Sequence, residues 1–133
     1  MDKVDFDLAW YRLERAKNDL RSAELLYENS DFLGANNRAY YSIFNAIKAV
    51  LALKRIDFKK HKDVVGYFNK EYVKTEIFPR VIGKKIAFAK TVREDSDYDE
   101  KYIPKSETTY EQMQTAKELI KLVEIYLNEQ SEN

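Results

Sequence analysis

Arg38 and Asn45 stand seven residues apart in a stretch that is otherwise largely apolar, and each interrupts an apolar helix face. A guanidinium in that setting has the planar fork that matches phosphate oxygens. It equally suits one half of a buried ion pair, with Asp95, Asp97 or an acid of the first helix as its partner. An asparagine amide donates and accepts hydrogen bonds but does not titrate near neutral pH, so Asn45 is either a ligand contact or a core hydrogen bond. His61 is the single histidine and sits among Lys59, Lys60 and Lys62. Neighbouring lysines disfavour its protonated form, which keeps it a candidate proton acceptor beside the plainer reading of a surface residue at a helix start. Tyr40 and Tyr41 are adjacent and so point to different faces, at least one of them toward the core.

The cations are unevenly placed. Between Lys48 and Arg93 there are 13 Lys or Arg against 4 Asp or Glu, although the whole chain carries 23 of each sign. A basic middle within a neutral chain can face a polyanion, or can simply attract the acidic remainder across the fold. Lys84, Lys85, Lys90 and Arg93, with Lys59, Lys60 and Lys62, form its densest footprint. Asp95, Asp97, Asp99 and Glu100 have hard-cation chemistry but lack the glycine of a calcium loop, so neither a metal nor a cofactor is expected.

Composition excludes several classes. With no cysteine there is no disulfide framework and no thiol nucleophile. Three glycines leave no glycine-rich phosphate loop. No apolar run approaches the roughly 20 residues of a membrane span. The acidic start, MDKVDFDLAW, does not read as a signal peptide, and the expected location is the cytoplasm.

The elements that position these residues are helices. Phe6, Ala9, Leu13, Ala16, Leu20, Ala23 and Tyr27 alternate at three and four, one stripe ending near Asn29-Ser30. Ser30 or Asp31 is the expected N-cap of a second helix over about 32–54. That helix has two apolar faces, one of Tyr40, Phe44, Ile47 and Leu51, the other of Ile43, Ala46, Val50 and Leu53, and so is central. Val64, Phe68 and Tyr72 mark a short third helix. Pro79 is placed to open a fourth, with Ile82, Ile86, Ala89 and Val81, Phe88, Val92, ending before an acidic loop at 94–100. Thr108 and Glu111 have capping-box spacing ahead of Met113, Ala116, Ile120, Val123 and Leu127. The expectation is one domain over 1–133: an all-α, up-and-down bundle of four long helices plus one short helix.

The string Asn36-Asn37-Arg38-Ala39-Tyr40-Tyr41-Ser42-Ile43-Phe44-Asn45-Ala46 resembles the second-helix signature of the HEPN superfamily, the higher eukaryotes and prokaryotes nucleotide-binding domain. Lys60-His61-Lys62 followed by Val64-Val65 and Phe68 resembles the start of its third helix. Arg93-Glu94-Asp95-Ser96-Asp97-Tyr98 resembles the ending of its fourth. The likeness is to the small, stand-alone prokaryotic type.

The resemblance implies a homodimer, with a minimal nucleotidyltransferase as partner in a toxin–antitoxin-like pair. It implies one of two activities at a cleft between protomers. Some members are metal-independent ribonucleases with an Arg-x4-6-His motif; others bind RNA, nucleotides or a protein without chemistry. Arg38 matches the arginine, but Asn45 stands where the histidine would be, and cleavage needs a group to take the 2′-hydroxyl proton. The leading expectation is therefore binding of RNA or nucleotide around Arg38, with Tyr41, Lys60, Lys62, Lys84, Lys85 and Arg93 contributing. The alternatives are an active endoribonuclease using Arg38 with Asn45 or His61, and a non-catalytic adaptor for the nucleotidyltransferase.

Overall fold

A computed structural model of the chain describes residues 1–133, with the side chains of His61 and Lys62 outside the described residues. Five α-helices run in order: α1 (Lys3–Glu28), α2 (Phe32–Ala52), α3 (His61–Phe68), α4 (Arg80–Tyr98) and α5 (Ser106–Ser131). A π-helical turn, Asn69–Val73, extends α3. No strand occurs among the described residues, and no helix is long and apolar enough to cross a membrane. The all-α bundle of four long helices and one short one is the architecture the periodicity implies.

The stripe on α1 is buried from Ala9 to Ala23, with Phe6 and Tyr27 packed partly exposed at its ends. Alanines at 9, 16 and 23 recur every seven residues and are fully buried. Such small side chains let a neighbouring helix approach closely, and Ser42 of α2 does so, donating to the Ala16 carbonyl at 2.7 Å. Both apolar faces of α2 are buried, so it occupies the centre between α1 and α5. Truncating a fully buried leucine such as Leu13 to alanine costs about 2–5 kcal/mol.

The helix ends are built by specific groups. Asp2 and Asp5 form a reciprocal capping box at the start of α1. Asp31 is the N-cap of α2, accepting from the Gly34 amide at 2.9 Å. Ser30 closes the α1–α2 turn with φ 61°, and Arg55 follows α2 with φ 56°, both left-handed without glycine. Arg55 there reaches back to α1, donating through Nε to Asp5 at 2.9 Å and through Nη2 to Asp2 at 2.7 Å. Its guanidinium holds the Asp5 carboxyl below its ordinary pKa.

Four sequence expectations are corrected. Helix α2 ends at Ala52, two residues short of Lys54. Helix α4 continues through the acids to Tyr98, because Lys90 pairs with Glu94 and Arg93 with Asp97 one turn apart. Thr108 and Glu111 are not a capping box: α5 already begins at Ser106, just after Pro104, and both lie inside it. Val81 and Phe88 are about half-exposed, while Val92, the third of that row, is buried.

Candidate functional site

Asp19 of α1 joins the two residues that break the apolar faces of α2. Its Oδ1 accepts from Arg38 Nη1 at 3.3 Å, and its Oδ2 accepts from Asn45 Nδ2 at 2.8 Å. Arg38 and Asn45 are two helical turns apart and so share a side of α2. The carboxylate is the buried member, its side chain 14% exposed against 43% for Arg38. The ion-pair alternative for Arg38 thus holds with an acid of the first helix, and the Arg38 side chain stays partly open to solvent. An arginine has five N–H donors. A single hydrogen bond to Asp19 leaves most of that donor capacity available.

A second arginine arrives from α4. Arg93 donates through Nη1 to Asn37 Oδ1 at 3.2 Å, through Nη2 to the Tyr41 hydroxyl at 3.4 Å, and through Nε to Asp97 at 3.3 Å. Its guanidinium carbon lies 5.1 Å from the Tyr41 ring centroid, and that of Arg38 lies 5.0 Å from the same ring. One tyrosine therefore gathers two cations from different helices by cation–π attraction. Arg93 also lies 5.7 Å from the Tyr40 ring. Burial pushes the Tyr40 phenol up, with Arg93 pulling the other way, so Tyr40 is a poor proton acceptor near neutrality.

Lys84, Lys85 and Lys60 are not part of this group among the described residues. Lys84 is nine residues from Arg93, which at about 100° per residue puts it on the opposite side of α4. Lys85 pairs with Glu118 of α5 at 2.9 Å. Lys60 is the N-cap position of α3, makes no side-chain cap bond, and forms no ion pair with the Arg38 group among the described residues. The candidate roles of the His61 and Lys62 side chains lie outside the described residues. Asp19 and Asn37 are the site residues that sequence reasoning did not single out. Asn37 was adjacent to Arg38 throughout. Asp19 carried one signal: like Arg12, seven residues earlier, it flanks the α1 stripe, and Arg12 also reaches α2, donating to the Lys48 carbonyl at 3.1 Å.

This arrangement can hold an anion. Two guanidinium groups face one half-buried ring, and each is balanced by a single carboxylate. The Arg93–Asp97 pair is an exposed one-turn pair, a class worth only about 0.3–0.5 kcal/mol, so an anion of higher charge exchanges with it readily. The fold and site together define a helical-bundle protein with two arginines, from α2 and α4, gathered on one tyrosine ring. The HEPN domain family model matches residues 9–126, and the chain belongs to that family. Two proteins of Methanocaldococcus jannaschii, each named "Putative toxin", are similar to it. One is 37% identical over 87 residues, covering 65% of this chain and 59% of that relative. The other is 34% identical over 86 residues, covering 65% and 64%. A Thermotoga maritima protein named "UPF0332 protein" is 37% identical over 90 residues, 68% of each chain. The match thus spans under two-thirds of the two archaeal relatives.

Proposed function

We propose that this HEPN chain is a toxin-like effector that binds RNA or a nucleotide through its phosphates, with Arg38 and Arg93 as the clamp and Tyr41 as the ring that spaces them. The observation that carries this reading is the convergence of the two guanidinium carbons on the Tyr41 ring, at 5.0 and 5.1 Å. A phosphate displaces Asp97 from Arg93 and shares Arg38 with Asp19. Tyr41, Asn37 and Asn45 then fix the donors rather than react. Asn45 is committed to Asp19 and supplies no base, which favours binding over turnover. The toxin naming of two archaeal relatives supports the effector role. Family resemblance adds a homodimer, in which two such clamps face one cleft, and a nucleotidyltransferase as partner. The reading as a partner's adaptor differs only in lacking the phosphate contact.

One observation favours a second reading. Asp19 sets a carboxylate within hydrogen-bond reach of both Arg38 and Asn45. A carboxylate in that position can take the 2′-hydroxyl proton that Asn45 cannot; the 2′-oxygen then bonds to phosphorus, the P–O5′ bond breaks to leave a 2′,3′-cyclic phosphate, and the 5′-oxygen takes its proton from water, giving a slow, metal-independent ribonuclease.

The test of the binding reading is the salt dependence of affinity for a fluorescent single-stranded RNA oligonucleotide. Phosphate binding gives a logarithmic slope of about −0.7 per contact, hence a slope steeper than about −1 for two arginines. A flat response overturns the clamp. Release of shortened RNA without added metal, lost in Asp19→Asn, moves the assignment to the ribonuclease.

A further inference from the structure

Away from the arginine site, α4 and α5 enclose an open groove of about 510 Å³, lined by Val81, Phe88 and Tyr110 with Lys84, Lys85 and Gln114 among its walls. Val81, Phe88 and Tyr110 are 52%, 47% and 50% exposed, so the groove presents a continuous apolar floor to water. Its rims carry more cations than acids, with Glu111 of α5 the one acid in its lining. Lys84 and Lys85 stand on α4, and Lys117 and Lys121 continue the α5 wall. Only Lys85 is paired, with Glu118; Lys84, Lys117 and Lys121 form no ion pair among the described residues.

We propose that this groove docks an amphipathic helix of a partner protein, one with an apolar stripe flanked by Asp and Glu. Val81 and Phe88 are seven residues apart on one face of α4 and provide the knobs between which the apolar stripe of such a helix seats. Unpaired lysines on both walls meet acids on both flanks of that stripe, which sets its chemistry and steers its approach. Two other occupants fit less well. A second copy would use the same face on both chains across a twofold axis, setting these lysines against themselves. Single-stranded RNA would use the lysines and aromatic rings but has no use for Val81, nor for Ile77, which is 51% exposed just before α4.

The experiment titrates the isotopically labelled full chain with a 20-residue helical peptide carrying leucines at i, i+3, i+7 and glutamates on both flanks. Its control is the same peptide with lysine in place of glutamate. The expected result is saturable shifts of the Lys84, Phe88 and Gln114 amides by the acidic peptide, at least 10-fold tighter than by the basic one. Phe88→Glu, at a half-exposed position, should abolish binding with unchanged melting. Lys117→Glu with Lys121→Glu should reverse the preference between the peptides. Equal binding of both peptides, or shifts elsewhere on the surface, overturns the proposal. So does a sedimentation shift to monomer on Phe88→Glu, which assigns the face to a second copy, or displacement of the peptide by an RNA oligonucleotide, which assigns it to nucleic acid.

Discussion

Asn45 of α2 donates to Asp19 of α1 at 2.8 Å, and the same carboxylate pairs with Arg38 at 3.3 Å. The residue at the position where the resemblance calls for a histidine is thus already held by an orienting acid. A histidine there would have the arrangement of a general base: an imidazole fixed by a carboxylate, beside an arginine. Asn45→His is therefore expected to gain metal-independent cleavage of RNA, at least 10-fold above the parent chain. Cleavage is read on a labelled oligonucleotide, and the gain should vanish when Asp19→Asn is added. No gain in a folded Asn45→His protein would mean that this side of α2 is not where a scissile bond sits.

Much of this arrangement is legible in the sequence. The stripe of α1 and the two faces of α2 are readable because burial follows the helical period closely there, and they fix the side of α2 on which Arg38 and Asn45 lie. The reach of α4 through Glu94–Tyr98 is not, because ion pairs one turn apart carry a helix over residues that look like a polar loop. Lys84 and Arg93 read as one basic footprint in the chain, yet nine residues at about 100° each set them on opposite sides of α4. Asp19 is the harder case. Its role depends on a contact across two helices, and its one local signal, a place flanking the α1 stripe, does not name the partner.

Arg38→Ala should leave stability nearly intact. Its side chain is 43% exposed and its partner pair is partly solvated, so the cost is about 1 kcal/mol or less. Thermal melting is the check. A drop as large as that of a core truncation would show the arginine to be a structural strut.

The Arg55 clamp on Asp2 and Asp5 predicts an acid-dependent contribution to stability. Asp5 has a folded pKa below its ordinary value, so its stabilisation is fully present above the unfolded pKa of about 3.9 and is lost as pH falls through the folded value. Melting temperatures of the parent chain and Arg55→Ala should differ by a constant amount from pH 7 to 5. That gap should narrow below about pH 4. A gap that widens with acid would reverse the sign of the assignment.

Gly83 lies where α4 crosses the π-helical turn. A Cβ at this position would sit 2.6 Å from Val73 Cγ1, and Val73 is itself 8% exposed and held by its branched side chain. Gly83→Ala improves helix propensity by up to about 1 kcal/mol, but overpacking of this kind costs about 1–3 kcal/mol. The expected result is net destabilisation in chemical denaturation, rescued by adding Val73→Ala. Stabilisation by Gly83→Ala alone would show that the turn yields freely.

The most direct test of the central claim is RNA affinity in a two-arginine cycle: parent chain, Arg38→Ala, Arg93→Ala and the double variant, measured by fluorescence anisotropy at fixed low salt. The account predicts at least a 10-fold loss for each single change, with melting little altered in Arg38→Ala. It also predicts a double variant less weakened than the product of the two, because both guanidinium groups act on one phosphate around Tyr41. Affinity unchanged by both substitutions would contradict the paired-arginine clamp and leave the Asp19 group as a purely structural join between α1 and α2.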